Sequence, residues 1–135
     1  MIYLDSSAIL KLVRREAETA TLVDWLSTRI DDGLCTSLIA DVEVVQATRR
    51  LVDAPRALPV ALARLAEVDK IILDHSVVAV AQSLEGLRSL DAIHLASALS
   101  LGDTDLIVVT YDSRLRDACD RYGVAVAAPG QEPAD

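Results

Sequence analysis

A chain of 135 residues is long enough for one domain that buries about two thirds of the surface its unfolded form exposes. The net charge of −8 argues against a partner held by bulk positive charge, so contact with nucleic acid must rest on local arginines and a metal ion. Phe is absent and aromatic residues make up 3% of the chain. This disfavours an aromatic-rich β-sandwich and favours helices packed on a small parallel sheet.

The first half of the chain alternates short apolar runs with helical patterns. The predicted elements are a strand at 2–4, a helix at 6–13, a helix at 16–30 that Gly33 ends, a strand at 34–36, and a helix that Ser37 caps. Apolar residues mark the buried stripes of the last two helices, at Ala20, Val23 and Leu26 and at Leu38, Val42 and Val45.

The second half continues the same alternation. The predicted elements are a helix whose entry Pro55 and Pro59 mark and that runs to about 67, a strand at 71–73, a helix at 75–84, a helix in LDAIHLASALSL, a strand at 106–110, a helix from 112 that Gly123 stops, and a strand at 124–127. Because LDAIHLASALSL is apolar nearly all round, we expect it to be buried. Alternating strands and helices predict a parallel sheet covered by helices, with ligands at the carboxyl ends of its strands.

Four acids stand out against this pattern. Asp5 and Asp112 lie just past two predicted strands, and Asp91 opens the apolar helix. Each of the three is either a helix N-cap or part of one shared site. Glu43 lies mid-helix in ADVEVVQA, where it is either a surface residue or points into a cleft.

Four carboxylates in one cleft would repel each other, and a divalent cation removes that conflict. Mg²⁺ and Mn²⁺ prefer such oxygen ligands and support the hydrolysis of a phosphodiester. His94 is three residues past Asp91, but no third nitrogen or sulfur ligand accompanies it, so we expect a buried, hydrogen-bonded histidine rather than a zinc ligand. Ser6, Thr110 and Ser113 flank the acids, either as ordinary caps or as hydrogen-bond partners of a carboxylate or a metal-bound water.

Four segments, in this order, resemble the PIN-domain ribonucleases, and within them the VapC-type toxins of bacterial toxin–antitoxin pairs. They are MIYLDSSAILK, TSLIADVEVVQA, LRSLDAIHLASAL and VVTYDSRLRDAC. The resemblance spans essentially the whole chain. It implies a three-layer α/β/α sandwich with a central parallel sheet, as a single domain over residues 1–135 with a flexible tail from about 129.

The resemblance also implies an activity and a site. PIN-domain ribonucleases cleave RNA with Mg²⁺ or Mn²⁺ and leave a 3′-hydroxyl and a 5′-phosphate. By this resemblance the catalytic acids are Asp5, Glu43, Asp91 and Asp112. Asp5, Asp91 and Asp112 would be metal ligands, and Asp112 would bind the ion directly or through water. Glu43 would orient or deprotonate the attacking water or contact a second ion. Asp117 is a candidate accessory acid.

The resemblance implies partners as well: an RNA substrate, a cognate VapB-like antitoxin that silences the enzyme, and a second copy of the chain in a homodimer. We expect phosphate contacts from five arginines, Arg14, Arg15, Arg49, Arg50 and Arg114. The chain carries no basic segment followed by a long apolar run at its start, and Cys35 and Cys119 have no metal-ligand spacing. We therefore expect a cytoplasmic protein with reduced thiols and no membrane contact.

Other interpretations make different demands on the sequence. A haloacid-dehalogenase-like phosphatase needs a second Asp two residues after the first, where this chain has Ser7. A receiver domain needs a late lysine, and no lysine follows Lys70. A non-catalytic α/β interaction module needs neither, since its acids would only cap helices, and it predicts that no divalent ion binds.

Overall fold

The structure, a computed structural model, describes residues 1–131. Its strands form one parallel sheet and are β1 (Ile2–Leu4), β2 (Leu34–Ser37), β3 (Asp69–Ile71), β4 (Ile107–Val109) and β5 (Ala125–Ala127). The order across the sheet is β3-β2-β1-β4-β5, so the chain winds outward from β1 in both directions. The predicted parallel sheet is confirmed.

Helices form every connection between consecutive strands. They are α1 (Ser6–Val13), α2 (Thr19–Ser27), α3 (Ala40–Arg49), α4 (Ala54–Ala66), α5 (His75–Ser83), α6 (Ser89–Leu99) and α7 (Ser113–Arg121), with a 3₁₀ turn at Ile30–Asp32. None of the helices within residues 1–131 is long and apolar enough to cross a membrane.

Side-chain alternation along the short strands divides the core into two halves. Ile2 and Leu4 of β1 point to one face and pack with buried residues of α1, α2, α3 and α4. Tyr3 points to the other face and packs with buried residues of α6 and α7, while α5 packs against α6. Helices thus cover both faces of the sheet, which confirms the three-layer α/β/α sandwich. The predicted burial of LDAIHLASALSL is also confirmed, since α6 is buried from His94 to Ala98.

The buried stripe of α3 differs from the prediction. Leu38 and Val42 are 43% and 64% exposed, whereas Ala40, Val44 and Thr48 are fully buried. Apolar residues occupy both faces of this helix, so spacing alone did not identify the face that meets the sheet.

The start of α3 differs as well. Ser37 ends β2 and does not cap the helix, because its hydroxyl accepts the N–H of Ile39, one residue before α3 begins. The predicted N-cap was therefore wrong by about two residues.

Two other elements have different bounds. The strand predicted at 71–73 lies at Asp69–Ile71, because pairing with β2 sets its register, and Ile72 is 63% exposed beyond it. The helix predicted at 16–30 begins only at Thr19 and ends at Ser27. Before its start, the Thr19 hydroxyl accepts the N–H of Glu16 in a turn. The buried stripe predicted for this helix was also wrong, since Val23 is 48% exposed and Leu22 is buried.

The predicted tail falls partly outside the described residues, which end at 131. The part that is described contacts the body of the domain. The Tyr111 hydroxyl donates to the carbonyl of Pro129 at 2.7 Å, and Arg116 hydrogen-bonds Gln131.

Candidate active site

The sheet has a topological switch point between β1 and β4, because the chain leaves these neighbouring strands in opposite directions. In open parallel sheets the crevice at the carboxyl ends of such strands is where ligands bind. Asp5 directly follows β1, and Thr110 to Asp112 directly follow β4. The N–H of Asp5 donates to the carbonyl of Val109, which holds the two strand ends together.

Asp5 is a buried carboxylate, only 4% exposed. Its Oδ1 accepts from the Ser7 hydroxyl at 2.6 Å and from the N–H of Ala8 at 3.0 Å, so it caps α1. Its Oδ2 accepts from the Thr110 hydroxyl at 2.5 Å. Burial raises the pKa of Asp5 above its ordinary value, although the Ser7 and Thr110 hydroxyls partly oppose that effect. The carboxylate is thus fixed in place in a position that disfavours its charge.

Asp112 is tied to the same pair of loops. Its N–H donates to the Thr110 hydroxyl at 3.0 Å, and its Oδ1 accepts from the N–H of Arg114 at 2.9 Å, which caps α7. The Ser7 hydroxyl also accepts from the N–H of Tyr111 at 2.9 Å. These bonds connect the loop after β1 to the loop after β4, so the two aspartates are held on one rigid edge.

Asp91 is the third residue of α6 and does not cap it. The capping interpretation is therefore wrong for this acid. Burial raises the pKa of Asp91, and the charges of Asp112 and Asp5 raise it further, while Arg88 opposes them. Within residues 1–131 no side chain or backbone group donates a hydrogen bond to its carboxylate. Three like charges therefore converge here without a compensating protein donor on the third.

Glu43 lies in the first turn of α3 and reaches the same region from the neighbouring helix. Its Oε1 accepts from the Ser6 hydroxyl at 2.8 Å and contacts Nε2 of His94 at 2.7 Å. Burial raises the pKa of Glu43, but the hydrogen bond and charge of His94 and the Ser6 hydroxyl outweigh it, so that the net pKa is lowered. The glutamate is a held carboxylate and not a freely solvated surface residue.

His94 is 3% exposed, and both of its ring nitrogens have protein partners. Nε2 faces Glu43, and Nδ1 lies 2.6 Å from the Tyr3 hydroxyl. The hydroxyl of Tyr3 in turn accepts the N–H of Ser37 at 3.1 Å. The expectation of a buried, hydrogen-bonded histidine is confirmed. Tyr3 was not among the sequence candidates, because nothing in a three-residue apolar strand shows that its middle side chain meets a histidine 91 positions away.

The remaining candidates are less closely joined to this edge. Ser113 and Asp117 lie on α7 with exposed side chains, and neither hydrogen-bonds to any of the four acids. Of the five arginines, Arg114 is next to Asp112 in the first turn of α7, whereas the other four lie at the far ends of α1 and α3, namely Arg14, Arg15, Arg49 and Arg50. Arg88 was missed, although its position three residues before Asp91 places it beside that carboxylate in a helical pattern.

The chemistry of these side chains fits a hard divalent cation. Asp5, Asp91 and Asp112 offer only oxygen donors, and the pKa of Asp91 is raised by burial and by the charges of Asp112 and Asp5, although His94 and Arg88 oppose the shift. Among the described residues no three His, Cys, Asp or Glu side chains converge as a finished ligand set, since both oxygens of Asp5 are directed at protein donors. His94 has no free nitrogen, which does not fit a zinc ligand.

A doubly wound parallel sheet with carboxylates at its switch point defines a class of α/β/α domain with an acidic site on the carboxyl edge. The PIN domain matches residues 2–121, and the chain belongs to the PIN-domain family. Two ribonucleases of Mycobacterium tuberculosis are similar over nearly the full length. Ribonuclease VapC35 is 42% identical over 97% of this chain and 98% of its own, and Ribonuclease VapC46 is 44% identical over 95% and 97%. The resemblance to VapC-type proteins is thereby confirmed.

Two solved structures show the same fold at low sequence identity. VapBC2 from Rickettsia felis, bound to a DNA fragment from its promoter, has a TM-score of 0.74 at 10% identity and covers 94% of this chain and 98% of its own. FitAcB from Neisseria gonorrhoeae has a TM-score of 0.71 at 23% identity and covers 96% and 98%. At these identities the likeness carries the fold and no more.

Proposed function

We propose that this protein is a metal-dependent endoribonuclease and the toxin of a type II toxin–antitoxin pair, a cytoplasmic enzyme that hydrolyses RNA phosphodiester bonds. The observation that supports it most directly is that Asp5 and Asp112 follow the neighbouring strands β1 and β4 and that the charges of both add to the burial that raises the pKa of Asp91. Like charges held close together destabilise the folded protein, and carboxylates with pKa values perturbed in this way are concentrated at functional sites. The similarity to the VapC ribonucleases supports RNA as the substrate.

The acidic side chains have separate roles in the proposed reaction. A bound Mg²⁺, or Mn²⁺ in its place, lowers the pKa of an attacking water and stabilises the leaving oxygen. Asp5, Asp91 and Asp112 would hold the ion, and the Ser7 and Thr110 hydroxyls fix the orientation of the Asp5 carboxylate. Glu43 would accept a proton from the water as the water oxygen bonds to phosphorus and the bond from phosphorus to the 3′-oxygen breaks, and the leaving 3′-oxygen takes up a proton from solvent.

Arginine side chains supply the remaining contacts to RNA in this proposal. Arg88 and Arg114 flank the acids and contact the phosphates next to the cleavage position, because the guanidinium fork suits phosphate oxygens. The four arginines at the far ends of α1 and α3 contact the strand farther along, and those of α1 lie about 12 Å from Asp5 by the length of that eight-residue helix.

The partners proposed are a VapB-like antitoxin and a second copy of this chain. The net charge of −8 favours an inhibitor that places a basic side chain against the acids. The similarity to VapC35 and VapC46 supports a VapB-like antitoxin as the partner.

The alternative of a non-catalytic module has an observation in its favour, since Asp5 and Asp112 do cap α1 and α7. A matched pair of variants separates the two proposals. Asp112 and Asp74 both cap helices with one carboxylate oxygen, but Asp74 serves α5 and does not hydrogen-bond to the other acids. With a mixed tRNA and ribosomal RNA pool and Mg²⁺, Asp112→Ala should abolish cleavage and Asp74→Ala should retain it. If the wild type and both variants neither cleave RNA nor bind Mg²⁺, the module is favoured, whereas equal cleavage by both variants would exclude Asp112 from the site.

A further inference from the structure

A buried hydrogen-bond chain runs from the sheet to the candidate proton acceptor. The N–H of Ser37 donates to the Tyr3 hydroxyl, Tyr3 contacts Nδ1 of His94, and Nε2 of His94 contacts Oε1 of Glu43. Ser37 and Tyr3 are fully buried and His94 is 3% exposed, so water does not compete for these bonds. This hydrogen-bond chain joins β2, β1, α6 and α3 and ends at Glu43, the proposed proton acceptor.

When the His94 ring is neutral, each atom in this chain has one consistent hydrogen-bonding role. An ionised carboxylate only accepts, so its contact with Oε1 of Glu43 favours a proton on Nε2 of His94. In a neutral ring Nδ1 then accepts, and Tyr3 supplies the donor. The oxygen of Tyr3 is left to accept from Ser37, as it does at 3.1 Å. The Ser6 hydroxyl donates to the same Oε1, at 2.8 Å.

Both donors to Glu43 therefore meet at one of its two oxygens. Within residues 1–131 Oε2 receives no hydrogen bond from the protein, and the side chain is 23% exposed. A glutamate side chain loses conformational entropy when it is held in one rotamer. Two donors at Oε1 hold the side chain of Glu43 and leave Oε2 available. Partners that orient an active-site group in this way are a recurring feature of metal sites.

We propose that Tyr3 and His94 are positioning residues: Tyr3 fixes the Nε2–H tautomer of His94, and His94 with Ser6 anchors Oε1 of Glu43 so that Oε2 is the atom that accepts the proton of the attacking water. The part played by Oε2 rests on the proposed ribonuclease function. The tautomer and the anchoring do not, and they are tested without any activity.

The first test is a long-range ¹H–¹⁵N correlation spectrum of the imidazoles at neutral pH. The chain has only two histidines, and His75→Asn assigns the spectrum because His75 is exposed at the start of α5. His94 should show a protonated Nε2 and an unprotonated Nδ1, and Tyr3→Phe should convert this into a mixture of tautomers. A ring protonated at Nδ1 or at both nitrogens in the wild type would overturn the proposal. So would a tautomer that Tyr3→Phe leaves unchanged.

The second test is steady-state cleavage of RNA with Mg²⁺. Loss of an orienting partner typically costs 10–100-fold in activity, so Tyr3→Phe should lower kcat about tenfold and His94→Leu about a hundredfold, with KM within about twofold. His94→Gln should recover most of the loss, since its amide N–H lies where Nε2–H lies. Tyr122→Phe is the matched control, because the Tyr122 hydroxyl bonds Glu85 far from the acids.

The two tests separate this proposal from the function it builds on. If His94→Gln is as inactive as His94→Leu, or if the variants change KM alone, positioning of Glu43 is wrong although the ribonuclease stands. If the wild type cleaves no RNA, the ribonuclease is wrong, and the imidazole spectrum still decides whether Tyr3 sets the tautomer of His94.

Discussion

Replacing Asp91 with Asn should have opposite effects on stability with and without metal. Asp91 does not cap α6, and within the described residues it accepts no hydrogen bond. Its neighbours Asp112 and Asp5 raise its pKa after burial does, so its charge opposes folding when no cation is bound. Asn has nearly the same shape and no charge. The substitution therefore removes a repulsion in the metal-free protein and, under the proposed function, a ligand in the metal-bound protein.

The expected magnitudes follow from this geometry. A charge pair near the surface is worth about 0.5–1 kcal/mol, and we take that as the repulsion relieved by Asp91→Asn. For 135 residues the entropy of unfolding is roughly 0.28 kcal/mol/K, so Tm should rise by about 2–4 °C without metal. Mg²⁺ at a hundred times its Kd should stabilise the wild type by about 2.7 kcal/mol, or about 10 °C, and the variant by much less.

The assay is thermal unfolding followed by circular dichroism, first in EDTA and then across a titration with Mg²⁺. Asp74→Asn is the matched control, because it makes the same change of charge at the exposed N-cap of α5. Its Tm should stay close to that of the wild type in EDTA and rise equally with Mg²⁺. An Asp91→Asn protein that is less stable than the wild type in EDTA, or that gains as much from Mg²⁺, would refute the reasoning.

Three further predictions test other parts of the structure. Thr110→Val removes the hydroxyl that donates to Asp5. Because hydrogen bonds to charged groups contribute about 1.5–3 kcal/mol, the free energy of unfolding in urea titrations should fall by that amount. A change near zero would contradict the bond. Val44→Ala should cost about 2 kcal/mol and Val42→Ala under about 0.5, because only the first is buried; equal costs would contradict the observed face of α3. The pKa of Glu43 is lowered in the folded protein, so ionised Glu43 contributes to the free energy of unfolding above its ordinary pKa of 4.5 and loses that contribution as pH falls through the folded pKa. Without metal, the stability advantage of the wild type over Glu43→Gln should therefore shrink below pH 4.5. An advantage independent of pH would contradict the shift.

Local signals in the sequence were sufficient for elements that one strong feature defines. The run Ile2–Leu4 followed by Asp5 gave both β1 and the start of α1, and the nearly uniform apolar character of α6 predicted its burial. The strand ends placed Asp5 and Asp112 on one edge, because parallel strands share their carboxyl side. The fold class followed from the alternation of strands and helices.

Other features depend on contacts that no local pattern shows. Val42 and Val44 are equally apolar, and only packing against β1 decides that Val44 is inside. Ile72 belongs to the most apolar triplet near β3, but pairing with β2 ends the strand before it. The bond of Tyr3 to His94 joins positions 91 residues apart, so it follows from the order of strands and not from spacing.

The chemistry of the cleaved RNA ends tests the central claim, that the acids at the switch point support metal-dependent hydrolysis of RNA. The purified wild type and Asp91→Asn would be incubated with a tRNA and ribosomal RNA pool in Mg²⁺, Mn²⁺ or EDTA, and the termini of any fragments identified. Attack by a metal-activated water predicts 5′-phosphate and 3′-hydroxyl ends that require metal and are lost in Asp91→Asn. Ends with a 2′,3′-cyclic phosphate, or cleavage that persists in EDTA or in the variant, would contradict it.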